Sequence, residues 1–396
     1  MVSDVEPGRT VFVGMSGGVD SSVSAALLKK QGYDVVGVFI RTWHPEFLKC
    51  NEEEERRDAM RVATHLGIPF LTFDFEDVYK KEVADYMIRE YKAGRTPNPD
   101  VMCNKEVKFG AFLKKALSMG ADYVATGHYA GNKNCLEKST DIFLLKNYSC
   151  SRQSRSQASF QDSFCLVKGV DPSKDQVYFL WTLKQKQLSK ILFPIGHLNK
   201  KEVRKLAERF KLPVAEKKDS QGICFLGAVD LKNFLKHYIQ EKKGEVILVP
   251  SEVVGKNKSE VIGFHDGVVF YTLGERHGFT ITKKNPNDRP YYVVGKDVKK
   301  NILYVSQNKN CLEKSTDIFL LKNVNWIKHT PNEKKNYTAQ IRYHGEFLPC
   351  RIELAKGGPD RSRRARVIFK NPILVASGQS CVIYDKDICL GGGIII

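Results

Sequence analysis

The string VFVGMSGGVDSS, residues 11–22, constrains this chain most. An apolar run passes through Ser-Gly-Gly into an amphipathic segment, which describes a strand turning tightly into a helix. Paired glycines let backbone N–H groups gather at the helix N-terminus, where the helix dipole favours an anion. Ser16, Gly17, Gly18, Ser21 and Ser22 fit a phosphate cradle, with Asp20 placed to face a magnesium ion or a nucleotide group. A Walker loop would need Gly-Lys-Ser/Thr to reach the terminal phosphates, and no such lysine stands here. The loop therefore suits an enzyme that holds pyrophosphate as a leaving group and splits ATP between its α and β phosphates.

Strand and helix patterns alternate from Thr10 to about Phe225. TVFVGM, DVVGVFI, FLTFDF and ADYVATGHYA read as strands. SSVSAALLKKQGY, with Val19, Val23, Ala26 and Leu27 on one face, EERRDAMRVATHLGI and VKFGAFLKKALSMG read as helices. The expected fold class is α/β, a doubly wound parallel sheet with ligands at the carboxyl ends of its strands. Beyond Leu226 one helix, AVDLKNFLKHYIQ, precedes short turn-punctuated runs: GEVILV, VVFYTLG, YYVVGK, NILYVSQ, then YTAQIRYHG, LPCRIEL, RARVIF and QSCVIYDKDICLGGG. These read as strands of one or two small β domains, at least one of them barrel-like. The expected division is a nucleotide-binding catalytic domain over 1–226, a small central β-rich domain over 227–300 and a C-terminal β-barrel over 301–396. The segment NKNCLEKSTDIFLLKN stands without a mismatch at 132–147 and again at 308–323, a spacing too long for a solenoid. Its first copy runs into a stretch rich in Ser, Gln and Arg, so 132–160 reads as an insertion.

Lys plus Arg number 63 against 45 Asp plus Glu, a formal charge of +18, which favours a polyanionic partner. Basic residues cluster in KKEVRK, EKKDS and RSRRAR. No apolar run is long enough for a membrane helix, and MVSDVEPGRT shows no secretion or organelle signal, so a cytoplasmic protein with no membrane partner is expected. The ten cysteines include no C-x-x-C pair and suggest neither a zinc knuckle nor a disulfide framework. Two are singled out by their settings. Cys103 follows TPNPDVM, a proline-containing turn expected to present it at a loop edge beside Asp100. Cys224 lies in KKDSQGICF, where Lys217 and Lys218 would favour a thiolate. No metal-ligand cluster is visible beyond the magnesium that ATP chemistry brings.

SGGVDSS resembles the PP-loop of the ATP-pyrophosphatase superfamily, whose fold is of the adenine nucleotide alpha hydrolase-like kind. Together with EYKAGRTPNPDVMCNKEVKFGAFL, ADYVATGHYA, KDQVYFLWTL, LFPIGHLNKKEVRKLAE, KKDSQGICFLG, HDGVVFYTLGERHG and GQSCVIYDKDICLGGG, it is similar to the tRNA-specific 2-thiouridylase family. The resemblance implies ATP-dependent adenylation of the wobble uridine at its C2 oxygen, followed by sulfur transfer. It implies that Cys224 carries the persulfide sulfur, that Cys103 is the catalytic nucleophile and can pair transiently with Cys224, and that Asp100 is the acid/base. Gly14, Met15, Ser16, Gly17, Gly18, Val19, Asp20 and Ser21 are expected on ATP phosphates, with Ile40 and Gly127 beside the nucleotide. The family commonly has Met where Ile40 stands. Asn98, Pro99 and Asp100 are expected to meet the target base. His128, Lys174, Asp175, Gln176, Arg342, Tyr343 and Gln379 are expected to meet tRNA. The implied partners are tRNA and a persulfide donor, either a cysteine desulfurase or a sulfur-relay protein, and the implied state is a monomer. The rival readings are another PP-loop ATP-pyrophosphatase, which would not need the two cysteines, and a non-catalytic RNA-binding protein.

Overall fold

The computed structural model describes residues 8–48, 50–134, 164–219, 222–227, 230–249, 260–283, 285, 287–308, 316–354 and 364–396. In chain order the first strands are β1 (Thr10–Gly14), β2 (Asp34–Arg41), β3 (Phe70–Asp74) and β4 (Tyr123–Ala125). A hairpin, β5 (Ala130–Asn134) and β6 (Phe164–Lys168), and the short β7 (Ile191–Leu192) follow. Strands β3-β2-β1-β4-β7 form one parallel sheet in that order. Val11, Phe12 and Val13 of β1 are all buried, because a central parallel strand is covered on both faces and reads as an unbroken apolar run. Helix α1 (Val19–Lys30) follows β1 directly, and α2 (Glu52–Leu66) leads to β3. Four glutamates in the first turn of α2 oppose its dipole, and Gly67, left-handed at φ 59°, ends it. Strand order runs outward from β1 through β2 to β3, then jumps across to β4. The reversal opens a crevice between the carboxyl ends of β1 and β4, where ligands of such sheets bind.

A second sheet contains β8 (Gly244–Leu248), β9 (Glu260–His265), β10 (Thr280–Ile281), β11 (Tyr292–Asp297) and β12 (Ile302–Ser306), in the order β10-β9-β8-β12-β11. VVFYTLG departs from the expected strand: Val268–Phe270 forms a single 3-10 turn. The physical reason is local capture, since His265 Nδ1 accepts the Gly267 N–H and Asn301 Oδ1 the Val268 N–H, leaving no ladder for this segment.

The third sheet is built from β13 (Thr316–Trp326), β14 (Tyr337–Gln340), β15 (Leu348–Leu354), β16 (Arg364–Ile373), β17 (Ser380–Asp385) and β18 (Ile388–Ile395). Pairing between β13 and β18 closes these six strands into an antiparallel barrel. The β5–β6 hairpin, contributed from far upstream, joins the same sheet: Val167 pairs with Ile388 and Leu166 with Cys389. One edge of β18 thus serves β13 along Gly391–Ile395 and β6 at its start. The barrel is also tied by side chains to the segment around Tyr178 and Trp181 that follows β6, with Tyr178 Oη donating to Ser380 O (3.0 Å) and Asn325 Nδ2 to Trp181 O (2.8 Å). Of the expected insertion 132–160, only 132–134 in β5 fall among the described residues; the second copy of the repeat ends within β13. No helix among the described residues is long and apolar enough to cross a membrane.

Candidate active site

The cradle forms where β1 hands over to α1. Met15 N–H bonds Val38 O at 2.8 Å and its side chain is buried, fixing the loop against β2. Gly17 has φ +71°, and a Cβ there would run into the Glu55 carbonyl of α2. Gly18 caps α1 with backbone alone, so no side chain occupies the helix N-terminus. The Ser16 N–H bonds Ser21 Oγ at 3.2 Å, and Ser22 Oγ donates to Gly18 O at 2.7 Å. Gly127 permits the opposite wall to approach, because a Cβ there would lie 2.6 Å from the Ser21 nitrogen. Ile40, buried near the end of β2, lies within the core that runs under this edge. These features fit a polyphosphate: glycine where backbone must come close, an open helix N-terminus and two hydroxyls.

Asp20 is already engaged, accepting from Tyr129 Oη at 2.8 Å and Lys200 Nζ at 2.7 Å. Lys200 in turn pairs with Asp219 at 2.8 Å, which also holds Lys174 and Arg204. Asp219 stands five residues before Cys224, a length of chain that spans at most about 18 Å. On the same segment Lys217 reaches Asp58 of α2 at 2.7 Å, and the Phe225 carbonyl meets His44 Nε2 at 2.8 Å. The segment bearing Cys224 therefore runs along the carboxyl edge of the parallel sheet, tied at one end to the cradle.

At its other end it meets Cys103. The two sulfurs, 121 residues apart in sequence, are 3.4 Å apart. Asn98 caps the short helix Pro99–Met102 by accepting the Val101 N–H (3.2 Å), and Pro99 occupies the first helical position. The helix continues into a π-helical stretch, Cys103–Phe112, a form concentrated at functional sites. Cys103 is accordingly fully buried at the head of this stretch, not at a loop edge. The expected turn is overridden by the helix-start signal of Asn-Pro.

Asp100, on the turn before, accepts the Cys224 N–H at 2.8 Å, and Tyr79 Oη donates to the Cys224 carbonyl at 2.7 Å. Burial raises Asp100 above the ordinary carboxylate range, opposed by that hydrogen bond. The cation near the sulfurs is Lys108, not the expected Lys217 or Lys218: Lys217 is spent on Asp58, and Lys218 is exposed. A hydrogen bond from Cys103, aided by the charge of Lys108, brings Cys224 down to about 7 against the effect of burial. Burial and the bond to Cys224 push Cys103 well up.

Beside the sulfur pair opens a cavity of about 370 Å³. It is lined by Asn98, Pro99 and Asp100 from the first sheet's domain and by Arg342, Tyr343 and Gln379 from the barrel, with Ile223 next to Cys224. Phe179 stands against Tyr343 with ring centroids 4.4 Å apart. The Gln379 amide donates to Thr96 O (3.2 Å), and the Thr96 N–H to Ser377 O (2.8 Å), so a barrel loop holds the approach to Asn98. The hollow is mostly apolar with a few convergent polar groups, a lining suited to a planar group, and the two thiols lie behind its lining residues Asp100 and Ile223.

Family models match the whole of this arrangement: a tRNA methyl transferase HUP domain over residues 9–228, a tRNA methyl transferase PRC-barrel domain over 232–307 and an aminomethyltransferase beta-barrel domain over 316–395. The tRNA-specific 2-thiouridylase MnmA of Geobacillus thermodenitrificans is 44% identical over 97% of this chain and 94% of its own. That of Halalkalibacterium halodurans is 43% identical over the same shares. The chain belongs to the tRNA-specific 2-thiouridylase family. Among solved structures, a U34-tRNA thiolase, NcsA from Methanococcus maripaludis, is similar only at TM-score 0.33 and 16% identity, over 58% of this chain and 66% of that one.

Not every residue carried over from the 2-thiouridylase motifs lies at the cavity. His128 is buried, bonded through Nδ1 to Thr126 Oγ1 at 2.7 Å and set between Phe109 and Phe193; burial holds it well below the usual histidine range and hence neutral. Asp175 accepts the Gly169 N–H (2.9 Å) and Gln176 the Tyr129 N–H (3.1 Å), so both side chains brace local backbone, while Lys174 faces Asp219. Two functional candidates went unread in the sequence, Lys108 and Lys200. Lys200 lies in the quoted KKEVRK cluster, but only the fold carries it to Asp20.

Proposed function

We propose that this chain thiolates tRNA at uridine C2, using ATP to activate the oxygen and Cys224 to carry the incoming sulfur. The observation that carries the reading is the 3.4 Å approach of Cys103 and Cys224 beside Asp100 and the cavity. The cradle of Gly14, Met15, Ser16, Gly17, Gly18, Val19, Asp20 and Ser21 binds the phosphates of ATP, with Gly127 closing the opposite wall. Magnesium enters with the triphosphate, and Asp20 is the carboxylate at the cradle. Adenylation at the C2 oxygen releases pyrophosphate and makes AMP the leaving group.

The sulfur steps follow from the two thiols. The Cys224 thiolate attacks the outer sulfur of a donor persulfide, forming Cys224–S–SH and releasing the donor thiolate. The terminal sulfur then adds to the activated C2 and AMP departs. Cys103, deprotonated at this step, attacks the Cys224 sulfur, which closes a Cys103–Cys224 disulfide and frees the 2-thio group. A thiol reductant reopens the pair for the next cycle. Asp100, raised by burial, is suited to take and return the protons. Asn98 and Pro99 frame the base, Tyr343 offers it a stacking ring, and Arg342 a guanidinium for the backbone.

Nucleoside mass spectrometry of tRNA incubated with the protein, ATP, magnesium and a persulfide source tests the proposal. 2-Thiouridine should form only with ATP, and Cys224→Ser should abolish it while ATP binding persists. Pyrophosphate release without sulfur incorporation would point to another PP-loop synthetase. Salt-sensitive tRNA binding with no pyrophosphate released would mark a non-catalytic binder.

A further inference from the structure

Two thiols 3.4 Å apart are chemically equivalent until their surroundings distinguish them. The titratable groups facing this pair come from several elements. Asp100 approaches from the turn before Cys103, Tyr79 from the opposite wall, and Lys108 from the π-helical stretch that begins with Cys103. Asp100 is an acceptor already committed to the Cys224 N–H, and as an anion it disfavours a thiolate on either sulfur. The Tyr79 hydroxyl points at a carbonyl. His128, beyond Lys108, is neutral. Among the described residues Lys108 alone supplies positive charge to the pair.

The geometry of Lys108 is asymmetric. Its side chain is half-buried, its ammonium lies 5.5 Å from the ring centroid of Phe225, the residue after Cys224, and its charge acts on the Cys224 sulfur more strongly than on any other group. Among the described residues no carboxylate forms an ion pair with it. A half-buried ammonium without an ion-paired carboxylate favours a counter-charge, and of Cys224, Cys103 and Asp100 around it the Cys224 sulfur acts on it most strongly. In an α-helix a residue five positions on stands about 140° round the axis. The i to i+5 closure of the π-helical stretch brings Lys108 back toward the face of Cys103, where it meets Cys224 across the gap.

We propose that Lys108 is a positioning residue that selects Cys224, not Cys103, as the anionic sulfur, and so decides which thiol is loaded. The inference rests on the reading of Cys224 as sulfur carrier. Cys103, kept as a thiol that donates to Cys224, stays out of the loading step and becomes a nucleophile only later.

The test is pH-resolved alkylation of the full chain by iodoacetamide, with Cys103 and Cys224 quantified separately by peptide mass spectrometry. Lys108→Met should raise the pH at which Cys224 reacts half-maximally by at least one unit, lowering its labelling at neutral pH about fivefold or more. Lys108→Arg, which keeps the charge, should restore most of the reactivity. If Lys108→Met does not fold, shown by loss of the wild-type melting transition, Lys108→Gln takes its place. A Cys224 profile unmoved in a folded neutral variant overturns the proposal, as does a shift equally large in Lys108→Arg. The measurement needs neither tRNA nor ATP. A Cys224→Ser chain that still thiolates tRNA would therefore sink the functional reading while leaving the charge selection to be judged on the alkylation profile alone.

Discussion

At Asp100 one carboxylate holds the Cys224 backbone and faces both sulfurs, so protonation and sulfur geometry are joined in a single side chain. A pH dependence follows. Cys224, brought down to about 7 by the bond from Cys103 and the charge of Lys108, is a protonated and poorly reactive thiol below that value and an anion above it. Persulfide loading of Cys224, followed by mass spectrometry across the neutral range, should rise with pH and level off about one unit above the inflection; a flat profile would contradict the assignment. The two cysteines were singled out in the sequence by the motifs that hold them, although the local setting expected of each differs from the one in the structure. Their cation was not. Lys217 and Lys218 are neighbours of Cys224 in the chain, yet Lys217 reaches Asp58, and the lysine that does the work lies in a distant helix. Adjacency in sequence is a poor guide to electrostatics once chain segments fold back on one another.

Strands β1 to β4 and the loop after β1 were readable from apolar runs and paired glycines, because parallel strands buried on both faces leave a strong local signal. The glycine of the loop makes a sharp prediction. Gly17→Ala places a Cβ against the Glu55 carbonyl and asks alanine to hold φ +71°, so α2 and the loop must part. Destabilisation of about 1–3 kcal/mol is expected, with ATP-dependent pyrophosphate release falling at least about tenfold. Thermal melts and a pyrophosphate assay check the two effects; wild-type values in both would mean that the loop is loosely held. Elements whose ends are set by side chains were harder to read. TPNPDVM opens a helix because Asn98 and Pro99 cap it, and VVFYTLG fails as a strand because Asn301 and His265 intercept its N–H groups. Both outcomes turn on single hydrogen bonds, to which apolar periodicity is blind.

Across the whole molecule, the cavity draws one wall from the first sheet's domain and the other from the barrel, so the proposed recognition of base and backbone would depend on parts of the chain more than two hundred residues apart. With a formal charge of +18, tRNA affinity should fall steeply with salt. Arg342→Ala is expected to reduce the slope of log affinity against log salt by about one and to leave ATP binding unchanged. Filter binding over a salt series measures it; an unaltered slope would remove Arg342 from the phosphate contacts. The barrel could be anticipated from its short strands, but the hairpin that joins it could not, since pairing between Leu166 and Cys389 leaves no periodic trace. That shared edge of β18 has a consequence for biosynthesis. The upstream hairpin leaves the ribosome long before its partner exists, and its unpaired backbone must wait for the C-terminus of the same chain. During that interval its edge stands open, so premature termination within the barrel, which removes β18, should leave an unpaired strand edge and yield aggregation-prone products in place of inert fragments.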